Sequence, residues 1–239
     1  MNTLFKNDIS LDRDNHIYKL DQEPNLDFTS VTTFIGEFFE EFDAPKIAKN
    51  LVNNNIRYMH LSIDELLAQW KQSADYGTIV HEELENFILK GEQVVEPKSI
   101  QGIEWLKKYK IKSNFEIYTE VVVYSKKLKI AGTIDLLLFD KETGMYNLMD
   151  WKTSKRISSK AYRNKKGNHS VTSNLDDCNF NHYALQLSLY RYILETYYDL
   201  KISEHIIVHL LDNDCIGYHT PYMKNYILSM LQNKQLGEK

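Results

Sequence analysis

Only two cysteines, Cys178 and Cys215, occur in 239 residues, and they are far apart without CxxC spacing. Neither a disulfide framework nor a cysteine-rich zinc site is signalled. No window approaches the roughly 18 apolar residues of a membrane span. The first fifteen residues contain Asp8, Asp12 and Asp14 and no apolar core. That excludes a secretory signal and an acid-poor transit peptide, so a soluble, intracellular protein is expected. Internal repeats and low-complexity tracts are missing. An excess of positive charge is missing too: the formal net charge of −4 argues against indiscriminate adhesion to nucleic acid and leaves local fields to decide. No GxxxxGK[ST] stretch occurs, so the chain carries no helicase-type nucleotide loop.

What is present suits one globular domain with a sizeable core, spanning 1–239, since 43% of residues are hydrophobic and 26% charged. Patterning predicts a short strand from His16 to Leu20 and helices from Val31 to Glu41, Pro45 to Asn54, Ile63 to Ala74, Tyr76 to Gly91 and Ser99 to Tyr109. Ser30 or Thr29 caps the first of these. A strand follows from Glu116 to Tyr124, then a long helix from Asn181 to Leu200. Two strands, His205 to Leu211 and Cys215 to His219, precede a closing helix that Thr220 and Pro221 begin.

The chain is organised around Lys127 to Ser154, KLKIAGTIDLLLFDKETGMYNLMDWKTS. Two apolar β-prone runs flank Asp140-Lys141-Glu142-Thr143-Gly144, the pattern of a hairpin with a short Gly-containing loop. With the turn centred near Glu142 and Thr143, positions summing to about 285 face each other. Asp135 and Asp150 satisfy that sum, and alternation puts Lys152 on the face of Asp150. An isolated Asp-X-Lys is usually a surface ion pair of little weight. Here the neighbours Ile134, Leu136, Leu137, Leu138, Leu148 and Met149 read as strands buried on both faces, where carboxylates are paired or bind metal.

Three further features stand near this hairpin. His81 and Glu85 are four apart and share a helix face with Gly77, a spacing that also suits a plain surface pair. Lys155, Arg156, Lys160, Arg163, Lys165 and Lys166 follow Lys152 with Tyr162 interleaved, and no acidic residue comes before Asp176. Such a run is either a solvated loop or a nucleic-acid contact bringing cations to phosphate and an aromatic to a base. In the long helix, Gln186 and Tyr190 lie four apart on one face.

GTID around Asp135 and DWKTS from Asp150 to Ser154 resemble the second and third motifs of the PD-(D/E)XK nuclease superfamily. Gly-Thr-X-X-His-X-X-X-Glu, ending at His81 and Glu85, resembles the first motif of its RecB-like branch, and Gln186-X-X-X-Tyr190 the QxxxY motif downstream of its lysine. The chain is thus similar to the stand-alone RecB-like exonucleases of viral and mitochondrial genome-maintenance type. The resemblance implies an α/β fold with a restriction-endonuclease-like core: a central mixed sheet flanked by helices. A helical N-terminal part would cover about 28–110 and the nuclease core about 76–220. It implies Asp135, Asp150 and Lys152 as catalytic residues, with His81, Asp135, Asp150 and Glu120 as ligands of Mg²⁺ or Mn²⁺. Gln186, Tyr190 and Glu85 would position substrate, and Arg57 and Tyr58 would be open as contacts. The four cysteines of the iron–sulfur members are missing, so no such cluster is expected, and Asp150 stands where many members have Glu. End-bearing DNA is the implied partner, and unwinding needs a helicase or single-strand annealing or binding protein. The cytoplasm of a bacterial host is the implied compartment, for a phage or viral protein in replication, recombination or repair. A structure- or sequence-specific endonuclease of the same superfamily, or an inactive nucleic-acid-binding module, are the alternatives.

Overall fold

The computed structural model describes residues 8–12, 15, 17–110 and 114–237. In chain order the elements are β1 (Ile9–Asp12), β2 (Ile17–Leu20), β3 (Thr29–Ser30), α1 (Val31–Gly36), α2 (Ala44–Asn54), α3 (Ile63–Lys90), α4 (Pro97–Lys110), β4 (Phe115–Ser125), β5 (Ile130–Asp140), β6 (Met145–Lys152), α5 (Asn179–Tyr197), β7 (Ile202–Leu210), β8 (Cys215–His219) and α6 (Lys224–Gly237). A 3₁₀ turn at Tyr162–Asn164 lies in the connection before α5.

The centre is a mixed sheet in the order β3-β5-β6-β7-β8, with β4 antiparallel along the other edge of β5. β5 and β6 pair antiparallel from Asp140↔Met145 to Leu136↔Met149, the expected register. Gly144 closes the turn at φ 69°, which suits a residue without Cβ, and its N–H donates to the Asp140 carbonyl at 2.8 Å. β6 runs parallel to β7, with α5 as the crossover, and β8 returns antiparallel.

Side-chain alternation sorts the strand residues between two layers of helices. Leu136, Leu138, Met149 and Trp151 pack with Val80 and Leu84 of α3 and Ile103 and Leu106 of α4. Leu137 and Leu148 face the other way, toward α1, α5 and α6 through Phe34, Leu189, Ile193 and Met230. The fold is therefore α/β, a central mixed sheet flanked by helices. Among the described residues no helix is long and apolar enough to cross a membrane.

Several expected elements are corrected. The predicted helices from Ile63 to Ala74 and from Tyr76 to Gly91 are one helix of 28 residues. A capping box of Ser62 and Glu65 starts it and Gly91, φ 72°, ends it. Gly77 does not break it, although glycine costs about 1 kcal/mol in a helix interior. α1 stops at Gly36 rather than Glu41, because the chain tightens into turns that bury Phe38 and Phe39. Ser30 caps it, accepting the Thr33 N–H at 3.0 Å. α6 starts at Lys224, so Thr220 and Pro221 are not its cap. The strand expected from His16 is seen from Ile17, His16 lying outside the described residues, and β1 was not foreseen.

Candidate functional site

β6 leaves β5 at one point. Their pairing stops at Leu136 and Met149, while on the same edge β3 reaches only Ile130 and Ala131. Gly132 to Asp135 therefore face a gap, and backbone groups there take side-chain partners. The Trp151 N–H donates to Asp135 Oδ2 at 2.9 Å, and the Thr133 carbonyl accepts the Tyr190 hydroxyl at 2.8 Å. Tyr190 fits because residue 132 is glycine: a Cβ there would come within 2.7 Å of the ring. The Tyr18 hydroxyl, from β2, sits 3.1 Å from Thr133 Oγ1.

Asp150 lies just past the last β5–β6 pair and is buried. Gln186 Nε2 donates to its Oδ1 at 2.9 Å, and the Lys152 ammonium forms an ion pair with its Oδ2. Burial pushes the Asp150 carboxyl up to about 6, with Lys152 opposing and Asp135 adding to the rise. Burial alone would lower the Lys152 ammonium, but the Asp150 and Asp135 carboxylates outweigh it and hold that pKa above its ordinary value. Lys152 Nζ also lies 4.6 Å from the Tyr183 ring centroid, a cation–π contact.

His81 reaches the gap from α3. Its Nε2 lies 3.1 Å from the Trp151 carbonyl, which can only accept, so Nε2 carries the proton. Nδ1 then faces Asp135 Oδ2 at 3.6 Å. A lone pair opposed to a carboxylate is repulsive unless a proton or a cation lies between them. Donation of the other ring N–H to a backbone carbonyl is the usual arrangement behind a metal-ligating histidine.

Glu120 completes the cluster from β4. It falls between the pairs Thr119↔Leu136 and Val121↔Ile134, opposite Asp135, with φ 51°. A left-handed backbone costs a side-chain-bearing residue roughly 1–2 kcal/mol. His81, Glu120 and Asp135 each present one ligand atom within 4.8 Å of the others. They line a cavity of about 560 Å³ with Glu82, Glu85, Asp150, Lys152, Gln186 and Tyr190. Five carboxylates there face one ammonium, a balance that suits a divalent cation held by oxygen and nitrogen donors.

The structure thus brings together Asp135, Asp150, Lys152, His81, Glu120, Gln186 and Tyr190, with Glu85 on the wall. Gln186 and Tyr190 are turned onto Asp150 and Thr133, so they hold the strands of the site itself. Tyr18, Thr133 and Tyr183 were missed. Thr133 is the middle of the Gly-Thr-Ile preceding Asp135, the one signal available; the tyrosines are three among 16 once Tyr190 is counted.

The basic segment is not uniform. Lys165 pairs with Asp177 at 2.9 Å and Glu40 at 3.0 Å, and Lys166 pairs with Asp176. These two cations tie the loop to itself and to the segment after α1. Lys155 lines a neighbouring pocket with Tyr76, Lys98 and Thr153. Arg156, Lys160, Tyr162 and Arg163 lie outside the central cavity.

No family model matches the chain, and none of the curated proteins matches it. Among solved structures, the crystal structure of SSO0001 aligns over 87% of this chain and 75% of its own, at 15% identity and a TM-score of 0.38.

Proposed function

We propose that the protein is a Mg²⁺- or Mn²⁺-dependent DNA nuclease of the PD-(D/E)XK superfamily, acting as an exonuclease of the RecB-like group. One observation carries this reading. At the gap between β3 and β6 a buried Asp–Lys ion pair stands beside a His–Glu–Asp nest whose ligand atoms lie close enough together to share one cation.

His81, Glu120 and Asp135 would hold the ion, with Asp150 beside them. Bound there, the ion supplies Lewis-acid stabilisation of charge on the phosphate and acidifies water. Asp135 is fixed through the Trp151 N–H, and His81 through the Trp151 carbonyl, so one peptide neighbour orients both. Lys152, kept charged by Asp150, positions the attacking water and offsets charge that grows on the phosphoryl oxygens. Gln186 holds the remaining Asp150 oxygen, which keeps that carboxylate from turning away. Water adds to phosphorus and gives up a proton to solvent, the bond to the leaving oxygen breaks, and that oxygen takes up a proton from solvent.

The test is incubation of the purified protein with end-labelled single- and double-stranded DNA, linear and circular, in Mg²⁺, Mn²⁺ or EDTA. Release of nucleotides from linear DNA alone, abolished by EDTA and by Lys152→Ala or Asp135→Asn in folded protein, is the expected result. Unchanged turnover in Lys152→Ala overturns the assignment, and cutting of circles replaces the exonuclease with an endonuclease.

A further inference from the structure

The cationic connection between β6 and α5 has an ordered tip that the chemistry above does not use. Tyr162 is 79% exposed there. The next two residues, Arg163 (φ 54°) and Asn164 (φ 57°), are both left-handed, which side-chain-bearing residues rarely are in succession. Such strain persists only where the surroundings fix it, and it collects where a protein presents a group for use.

The surroundings do fix it. Before the tip, the Ser158 N–H donates to Asn179 Oδ1 at 2.8 Å and Asn179 Nδ2 donates to the Arg156 carbonyl at 2.7 Å. The Ala161 N–H donates to Asp176 Oδ2 at 3.3 Å. After it, the Asp177 N–H donates to the Lys165 carbonyl at 2.9 Å, and Lys165 and Lys166 carry their ion pairs. Pinned on both flanks, the turn holds a large apolar ring in water, where burial would have favoured it.

What could cover the ring follows from its neighbours. The Arg163 guanidinium lies 5.2 Å from the Tyr162 centroid. Among the described residues no carboxylate forms a salt bridge with Lys155, Arg156, Lys160 or Arg163. A flat ring beside the Arg163 guanidinium, with Lys155, Arg156 and Lys160 in the same connection, matches the alternation of base and phosphate in a single strand, and an aromatic face binds any base. A duplex hides its base faces in the stack and offers the ring nothing comparable. Asn179, which anchors the stretch before the turn, is also the first residue of α5, the helix that carries Gln186 into the site about 10 Å of rise further on.

We infer that Tyr162 is a stacking platform for an unpaired base, and that the strand reaches the site as single-stranded nucleic acid. This rests on the nuclease reading and narrows its substrate.

The test is fluorescence anisotropy in EDTA with wild type, Tyr162→Ala and Tyr162→Phe. The probes are a labelled oligothymidylate, a blunt duplex and an abasic deoxyribose-phosphate strand. Tyr162→Ala is expected to weaken oligothymidylate binding by roughly 5- to 150-fold, and to leave the duplex and abasic strands as wild type binds them. Tyr162→Phe keeps wild-type affinity. Unchanged oligothymidylate binding in Tyr162→Ala overturns the inference, and so does an equal loss on all three probes. Adding Mg²⁺ separates the two readings. Hydrolysis by wild type with no effect of Tyr162→Ala leaves the nuclease and removes the platform, whereas ring-dependent binding without hydrolysis leaves the platform and removes the nuclease.

Discussion

Gln186 Nε2 lies 2.9 Å from Asp150 Oδ1, joining the middle of α5 to the last turnless residues of β6. Both side chains are buried, so the bond is shielded from water and the amide has no solvent competitor. Gln186→Ala would leave a buried carboxylate oxygen without its donor, a loss of about 1–3 kcal/mol. Thermal melting should fall in that variant and cleavage with it. A melting temperature equal to wild type would show that Asp150 does not depend on the amide.

Divalent ions should stabilise the fold, and the effect should depend on pH. The Asp150 carboxyl is raised by burial to about 6 from an ordinary 3.8, so the folded state binds its proton more tightly. Its contribution to stability is therefore present below about pH 4 and lost as pH rises through 6. An ion offsets that loss only when the carboxylates are ionised. Mn²⁺ should raise the melting temperature at pH 7.5 and much less at pH 5, by mass action. Asp135→Asn should abolish the rise; an equal rise in that variant places the ion elsewhere.

Tyr183 tests how far Lys152 depends on its aromatic support. A cation–π contact of this kind contributes about 0.5–2 kcal/mol. Tyr183→Ala should lower kcat by roughly 2- to 30-fold with little change in KM, and Tyr183→Phe should restore it, since the ring face is retained. A defect shared by Ala and Phe would assign the role to the hydroxyl.

His205 should make the protein acid-sensitive away from the site. Burial, with Arg191 adding to it, pushes its pKa down to about 4 from 6.5, and neither ring nitrogen has a hydrogen-bond partner. The unfolded chain binds the proton first, so stability is full above pH 6.5 and falls as pH drops through 4. The loss is about 3 kcal/mol at most. His205→Leu should flatten the melting profile between pH 4 and 6.5. A parallel profile in that variant would trace the acid sensitivity to other groups.

Gly132→Ala should be costly for its size. The added methyl carbon meets Tyr190 Cε1 at 2.7 Å and its hydroxyl at 2.8 Å, so the ring must move and the bond to the Thr133 carbonyl with it. Overpacking of this kind costs about 1–3 kcal/mol. Gly132→Ala combined with Tyr190→Phe should recover none of the stability if the ring is the obstacle, whereas Tyr190→Ala should recover part.

The hairpin was legible because strand periodicity is local and strict. Once the turn at Asp140–Gly144 is placed, the register follows by counting as far as Leu136↔Met149; there the ladder ends, so Asp135 takes the Trp151 N–H instead of facing Asp150 as a strand partner, while the buried neighbours mark both carboxylates as unusual. Glu120 could be flagged only by resemblance, since a left-handed residue inside a strand leaves no trace in a Glu-Val-Val-Val pattern. The pairing of Lys165 with Glu40 was out of reach, because the partners are 125 residues apart in sequence. The break expected between Ala74 and Tyr76 failed for a related reason: α3 runs through it, and Gly77 just beyond serves to let the helix approach Thr153. Local pattern identifies elements and their faces; it does not report which remote surface an exposed charge or a small residue will meet.

The uninterrupted α3 also has a mechanical side. His81 sits about 27 Å along a helix some 42 Å long, and the same helix packs with α2. A straight helix moves as a rod over such lengths, so each degree of tilt about the turn that carries His81 displaces Ile63 by roughly half an ångström. The same helix, broken between Ala74 and Tyr76 as its sequence suggests, would absorb that motion in the hinge. Whole, it makes α2 and the imidazole parts of one lever.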